Sequence, residues 1–350
     1  MKSRSWKNWL LCSVLCCAVL FCFVGLINFI VDPLWIYGNN GWWNSRRRGF
    51  DERQLKTNYL PHVINEIEGI VIGSSMSRYV TTKDFNGLNV YNYACAALYP
   101  DHAAEFILHA VSEKDSGLTV FIGLDLWNAV RDRGIDAYEL PLFYIRESKQ
   151  KFKNIFSINS LIWAFRSIML TTTYRFYNEV GDYIFIENFP MMHIYRDLTG
   201  LNIEKVAEKE VLGHLGNYEN YTASSLERLK EIITYLDIEP LFYITPVTKM
   251  YLIKMLEIGA YPAYEKFIRD SVNIFGSIWN FMYVNSVTAS DKYFYDSSHT
   301  NSKGGRFIAQ RISNGSDYPS DFGILVTKEN LEGHIQFLRM NVFEALSAVF

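Results

Sequence analysis

Gly69-Ile70-Val71-Ile72-Gly73-Ser74-Ser75-Met76-Ser77-Arg78 is the stretch on which the reading of the fold turns. A β-branched run ends in glycine and passes into hydroxyls, the pattern of a buried strand that turns into a helix start. A serine at that position gains exposure at the carboxyl end of a strand. It also gains helix N-terminal N–H groups able to stabilise a developing oxyanion. Ser74, Ser75 and Ser77 equally suit ordinary caps and turns, so a second element is needed before the segment names a chemistry.

Outward from this strand the chain keeps α/β spacing. Short apolar runs at Leu88–Tyr91, Leu118–Ile122, Pro240–Ile244 and Ser277–Phe281 are bounded by Gly, Pro, Asn or Asp. Helical patterns such as His102–Glu113 and Ser224–Leu236 separate most of them. The alternation predicts an α/β fold with a mostly parallel, five-stranded sheet covered on both faces, a three-layer αβα arrangement. Ligands of such open sheets bind at the carboxyl ends of the strands. An insertion at about 125–220, with helical stretches such as Phe152–Leu170 and Met191–Tyr195, is expected to cap one side of the sheet. Its Trp163, Tyr174, Phe176, Tyr177 and Tyr183 suit either a platform for sugar rings or packing between helices.

The 350 residues are 49% apolar, 16% aromatic and 20% charged, which excludes disordered, collagenous and small disulfide-scaffold classes. With 34 basic against 37 acidic residues the net charge is −3, and no global field favours nucleic acid as a partner. Cys12, Cys16, Cys17 and Cys22 cluster in an apolar run and leave Cys95 alone, so the folded domain has no internal disulfide. The seven scattered histidines and the lone Cys95 give no zinc-ligand spacing, and neither a metal nor a cofactor is expected.

Residues 10–31 carry no charge, and at about 1.5 Å per residue they reach roughly 33 Å, enough to cross the hydrocarbon core of a lipid bilayer. The run is longer than a signal-peptide core, no A-x-A-like cleavage site follows it, and neither Cys17 nor Cys22 is preceded by the small residues of a lipid-attachment site. It reads as an uncleaved signal anchor. Lys2, Arg4 and Lys7 precede it, which predicts a cytoplasmic N-terminus over 1–9 and an extracytoplasmic remainder. Without those three basic residues the outer part has 31 basic against 37 acidic residues, or −6, and should not cling to anionic lipid. Residues 32–60, with Pro33, Gly38, Gly41 and Arg46–Arg48, read as a membrane-proximal linker, and 61–350 as the folded domain.

The second element is Asp296-Ser297-Ser298-His299-Thr300-Asn301, followed by Gly304-Gly305 and the helical pattern Arg306–Ile312. A catalytic serine needs a base, and the base needs a carboxylate on its other ring nitrogen. Asp296 and His299, three residues apart on a turn, supply both. They also fit an Asx-turn beside a surface histidine.

A strand–Gly-x-Ser turn early in the domain with Asp-x-x-His near its end resembles the SGNH/GDSL hydrolase superfamily. The closer resemblance is to its membrane-anchored branch, the accessory proteins of D-alanine transfer and polysaccharide O-acetylation. Supporting stretches are Val31-Asp32-Pro33, Asp51–Lys56, Tyr91-Asn92-Tyr93-Ala94, Ile122-Gly123-Leu124-Asp125 and Ile244-Thr245-Pro246. The resemblance implies a flavodoxin-like sheet, with Ser75 as nucleophile, His299 as general base and acid, and Asp296 as its orienting group. It implies oxyanion donors at the Ser75 N–H and at the N–H of Ala94 or Cys95. Ser74, Asp125 and Asn128 are possible site-lining residues. The family's Gly-x-Asn-Asp block stands here as Gly123-Leu124-Asp125-Leu126, without its asparagine. Asp125 would repel an oxyanion and is expected to position a loop, and the spacing of Asn128 does not replace the missing residue.

The expected activity is therefore that of an envelope-facing esterase or acyltransferase acting on a cell-surface glycan or other acylated polymer through a Ser75 ester. An integral-membrane O-acyltransferase is the implied partner. The competing reading is a membrane-tethered scaffold or glycan-binding partner without turnover.

Overall fold

The computed structural model describes residues 3–38, 52–114, 117–130, 148–170 and 203–348. The readings placed on Arg46–Arg48, Tyr174, Phe176, Tyr177, Tyr183 and Met191–Tyr195 lie outside them. The described helices are, in chain order, α1 (Ser3–Val31), α2 (Glu52–Val63), α3 (Pro100–Ser112), α4 (Leu126–Val130), α5 (Ser148–Ile155) and α6 (Ile158–Leu170). They continue with α7 (Ile203–Leu215), α8 (Ser224–Tyr235), α9 (Lys249–Glu257), α10 (Tyr261–Phe275), α11 (Ser302–Ile312) and α12 (Leu331–Ser347). The chain divides into two compact units.

In the first unit, Trp6–Val31 of α1 is long and apolar enough to cross a membrane. Only 6% of its most apolar stretch is buried, unlike a helix that forms the core of a soluble domain. The helix stops at Asp32, which turns the chain at φ +46°, and Pro33 follows. The Asp32 carboxylate accepts from the amides of Ile36 (2.8 Å) and Tyr37 (3.0 Å). α2 holds this turn: Asn58 Nδ2 donates to Leu34 O at 3.0 Å, and Tyr59 lies 4.4 Å from the Trp35 ring. The segment read as linker thus contains a helix. The Phe152–Leu170 pattern is two helices, α5 and α6, interrupted where Ser157 Oγ accepts from the Asn159 amide at 3.2 Å. Both belong with the first unit and pack on α1, so this part of the insertion is not grouped with the sheet it was expected to cap.

The second unit is built on a sheet of six strands: β1 (Gly69–Ile72), β2 (Val90–Asn92), β3 (Thr119–Leu124), β4 (Leu241–Ile244), β5 (Ser277–Asn280) and β6 (Ile324–Thr327). Their order is β2-β1-β3-β4-β5-β6. The first five pair in parallel, Gly69 standing opposite both Val90 and Thr119, and Tyr243 opposite both Gly123 and Trp279. β6 runs antiparallel to β5, with Ser277 opposite Thr327. The five-stranded expectation is corrected to a mixed sheet of six. β6 gives little sequence signal because it is a four-residue edge strand in which only Val326 is buried.

Ile70, Val71 and Ile72 are fully buried, as a parallel sheet covered by helices requires. α3 packs beside β1 and carries α8, and Arg228 of α8 meets Asp101 at the start of α3 at 3.1 Å. A core of Val71, Phe85, Phe121, Tyr243, Phe281 and Ile308 joins strands β1, β3 and β4 to α11. Each such apolar side chain contributes about 1.5–3 kcal/mol on burial, which fixes the strand ends that carry the site. The strand order reverses between β1 and β3, the crevice where open α/β sheets place their ligands.

Candidate active site

Ser75 stands just beyond the carboxyl end of β1. Instead of the expected helix start, Ser75–Ser77 forms a single 3-10 turn, so no long helix dipole aims at the serine. The turn is fixed from three sides. Ser74 Oγ accepts from the Met76 amide at 3.1 Å and donates to Asp125 Oδ2. Asp125 also accepts from Thr245 Oγ1 at 2.6 Å, which ties the ends of β1, β3 and β4 together. Asn92 Nδ2, at the end of β2, points at the carbonyls of Ser77 (3.2 Å), Arg78 (3.2 Å) and Val80 (3.0 Å). Gly73 is required because a Cβ there would stand 2.4 Å from Ser77 Oγ.

The second half of the site comes from the loop before α11. Asn301 caps that helix, accepting from Lys303 N (3.0 Å) and Gly304 N (3.2 Å). Phe294 bridges to Thr300, and Thr248 donates from both its amide and its hydroxyl to Ser297 O, so the loop is held at both ends. Within it the Asp296 carboxylate accepts from the amides of Ser298 (2.9 Å) and His299 (2.6 Å). α11 then approaches so closely that a Cβ on Gly305 would lie 1.6 Å from Tyr79 O. That contact sets the spacing between the His299 loop and the Ser75 turn.

The outcome is a chain of three groups. His299 Nε2 lies 2.9 Å from Ser75 Oγ, and His299 Nδ1 lies 2.8 Å from Asp296 Oδ2. Asp296 is buried, while Ser75 and His299 are partly open. Burial pushes the Asp296 carboxyl up, but the charge of His299 and the hydrogen bonds from the ring and the loop amides outweigh it and hold the carboxyl below its ordinary value. For His299, burial pulls downward and the Asp296 and Glu210 carboxylates pull harder upward, so its pKa is raised. An ionised Asp296 can only accept, so the ring carries its proton on Nδ1 and turns the Nε2 lone pair to the Ser75 hydroxyl. This arrangement can take the serine proton as the oxygen attacks an acyl carbon.

The remaining candidates fall differently. Ser74 and Asp125 lie behind the turn as its support, and burial raises the Asp125 carboxyl against the lowering hydrogen bonds from Ser74 and Thr245. Asn128 turns away from Ser75: its Nδ2 donates to Leu98 O (2.9 Å) and points at Asp125 Oδ2 (3.4 Å). The Ala94 amide donates to Asn92 Oδ1 at 3.0 Å and the Cys95 amide to Gly73 O at 3.0 Å, so both expected second oxyanion donors are engaged within the strand ends. The Ser75 amide has no acceptor among the described residues. Trp163 lies on α6 with the Arg166 guanidinium 4.8 Å from its ring centroid, in the unit of α1. Among the described residues no group of three or more His, Cys, Asp or Glu side chains could hold a metal ion.

Two neighbours were not read from the sequence. Glu210 of α7 accepts from Ser297 Oγ at 2.5 Å, and burial together with the Asp296 charge raises its carboxyl. It flanks the buried stripe Ala207, Val211 and Leu215, a position that nothing in the sequence separates from the other glutamates of α7. Arg78, three residues after Ser75, opposes the positive charge of His299. No family model matches the chain, and no curated protein matches it significantly.

Proposed function

We propose that the chain is a membrane-anchored serine esterase or acyltransferase of the SGNH/GDSL type, with its catalytic domain outside the cytoplasm, acting on O-acyl groups of a cell-envelope polysaccharide. The observation that carries this reading is the Ser75–His299–Asp296 chain at 2.9 and 2.8 Å. Supporting it are the β2-β1-β3-β4-β5 order, which suits a three-layer flavodoxin-like fold, and α1, the one helix among the described residues long and apolar enough to span a membrane. The proposed orientation, with the N-terminus cytoplasmic, follows from Lys2, Arg4 and Lys7 before the span.

In this mechanism His299 Nε2 removes the Ser75 proton as Oγ bonds to the acyl carbon, and the Ser75 amide donates to the oxyanion. Collapse breaks the bond to the leaving alcohol, which takes the proton from His299. A sugar hydroxyl or water then gives its proton to His299, attacks the Ser75 ester and releases Oγ, which recovers the proton. Asp296 stays ionised and steadies the imidazolium. An integral-membrane O-acyltransferase is the proposed supplier of acyl groups.

One observation favours a second reading. With the Ala94 amide engaged by Asn92, the oxyanion meets one donor among the described residues where such sites use two, which suits a tethered scaffold or glycan-binding partner of an acyltransferase. Covalent labelling of the full chain in detergent with a fluorophosphonate separates the two. The enzyme reading expects labelling of wild type that is lost in Ser75→Ala and His299→Ala. Absence of labelling in folded wild type leaves the scaffold.

A further inference from the structure

α6 is described over 13 residues, about 20 Å at the helical rise. Its described packing partner is α1. The residues it buries are small: Ser160, Ala164 and Ser167 are 5%, 0% and 6% exposed. Small residues let helix backbones approach closely where no hydrophobic force drives them together, and Ser167 Oγ is satisfied by Trp163 O at 2.8 Å. Ile158, Ile162, Phe165 and Met169 form a second stripe at spacings of four, three and four, and they are 44–77% exposed. Water is a poor solvent for such a stripe.

The level at which the hairpin meets α1 says what covers it. Phe21, Gly25 and Asn28 share one face of α1. Phe156, in the α5–α6 corner, stacks on Phe21 with centroids 3.9 Å apart, and a Cβ on Gly25 would meet its ring at 2.6 Å. Asn28 Nδ2 donates to the α5 end at Ile155 O (2.8 Å) and Ser157 O (3.0 Å), carbonyls that no water would satisfy inside a membrane. From Phe21 to Val31 is about 15 Å along the helix, half the thickness of a hydrocarbon core of about 30 Å. The corner therefore sits beside the apolar part of α1, whose flanking Leu20, Leu26 and Phe29 are themselves exposed. Exposed Lys153 follows exposed Phe152 in α5, a pairing suited to phosphate headgroups beside aromatics that enter the apolar layer. The Arg166 guanidinium over Trp163 is the usual pairing of a side chain that reaches from apolar surface to the interface.

We propose that the α5–α6 hairpin is a second membrane element, lying against α1 in the leaflet at its Val31 end, with the Ile158–Ile162–Phe165–Met169 stripe in contact with lipid acyl chains. The inference rests on α1 being the membrane span. It gives the anchor a broad base in place of one helix.

The test is spin-label depth measurement on the full chain in phosphatidylcholine vesicles without any other protein. Cys12, Cys16, Cys17, Cys22 and Cys95 are first replaced by alanine. Single cysteines then go in as Phe165→Cys and Met169→Cys on the stripe and Arg166→Cys off it. Ala18→Cys on α1 and Lys303→Cys on the sheet unit serve as references. The expected result is that labels at 165 and 169 collide preferentially with oxygen, as at 18, while those at 166 and 303 collide preferentially with a soluble nickel chelate. Nickel-favoured collisions at 165 and 169 with oxygen-favoured collisions at 18 overturn the hairpin while leaving the span, and assign the stripe to a protein partner or a second copy. Nickel-favoured collisions at 18 overturn the span and the inference with it.

Discussion

Replacing Gly305 by alanine probes the contact that sets the Ser75–His299 distance. The new Cβ would lie 1.6 Å from Tyr79 O and 3.0 Å from Val80 N, both backbone atoms. A close carbon–oxygen contact lies at about 3.3 Å, so α11 and the turn must part by about 1.7 Å. Tyr79 is four residues from Ser75, and Gly305 six from His299, with only the capped 294–301 loop between. Passing even half of that displacement to the site would stretch the 2.9 Å Ser75–His299 bond past hydrogen-bonding reach. Misplacement by about 1 Å lowers rates about 10²-fold, and overpacking of this kind costs about 1–3 kcal/mol of stability. The assay is the second-order rate of fluorophosphonate labelling at a temperature where both proteins are folded. Gly333→Ala is the control, because nothing lies within 4 Å of a Cβ there. Labelling of folded Gly305→Ala at the wild-type rate would refute the claim that this backbone contact sets the Ser75–His299 spacing.

Three further outcomes are expected. Because Asp296 and Glu210 raise the His299 pKa, labelling should fall as pH drops through a limb above the ordinary histidine value. Glu210→Gln should move that limb acidward, and an unmoved or alkaline-shifted limb would remove Glu210 from the site's electrostatics. Buried His334, pulled down to about 4 by burial and lying 2.9 Å from Asn280 Nδ2, must stay neutral in the fold. Its folded pKa lies below the unfolded value, so the stability it contributes is present above about pH 6.5 and is lost as pH falls, by about 2 kcal/mol at pH 5. His334→Gln should reduce that acid loss in thermal unfolding compared at pH 7 and 5, and an undiminished loss would place the titration elsewhere. With the Ser75 amide the one oxyanion donor among the described residues, acylation and deacylation should both be slow, so p-nitrophenyl acetate should give only a weak steady rate. Fast turnover would contradict the one-donor geometry.

What the sequence made legible follows from how local each signal is. β1 to β5 and the helices between them rest on short-range patterns, so runs such as Gly69–Ile72 and Ser224–Leu236 match the folded elements to within a residue or two. β6 depends on pairing with β5 rather than on its own four residues, and so it left no trace. Ser75, Asp296 and His299 stand in two compact motifs whose residue types are informative by themselves. Glu210 and Asn92 act through distance: one arrives from a helix in the insertion, the other bonds three carbonyls 12 to 15 residues away. The division of the insertion was equally hidden. Its α5–α6 part reads as an amphipathic pair, and only its contacts with Phe21, Gly25 and Asn28 show that it belongs to the unit of α1.

The Asp125 carboxylate and the occupied amide of Ala94 bear on one problem, which is how the turn is held. Ser75 is carried by a three-residue 3-10 turn with little rigidity of its own. Asn92 grips its far side through three carbonyls, and the same side chain takes the Ala94 amide on its oxygen, which fixes the plane of the Asn92 amide group. Asp125, at the end of β3, grips the near side through Ser74 and is itself held by Thr245. A carboxylate serves there because its contacts are donors, whereas beside an oxyanion it would repel. Removing one oxyanion donor lowers turnover about 10²–10³-fold in sites that have been measured, yet leaves attack by a well-oriented serine available. In the proposed mechanism weak oxyanion support slows formation and discharge of the Ser75 ester alike, so an acceptor hydroxyl bound close by would gain from proximity what the site lacks in electrostatics.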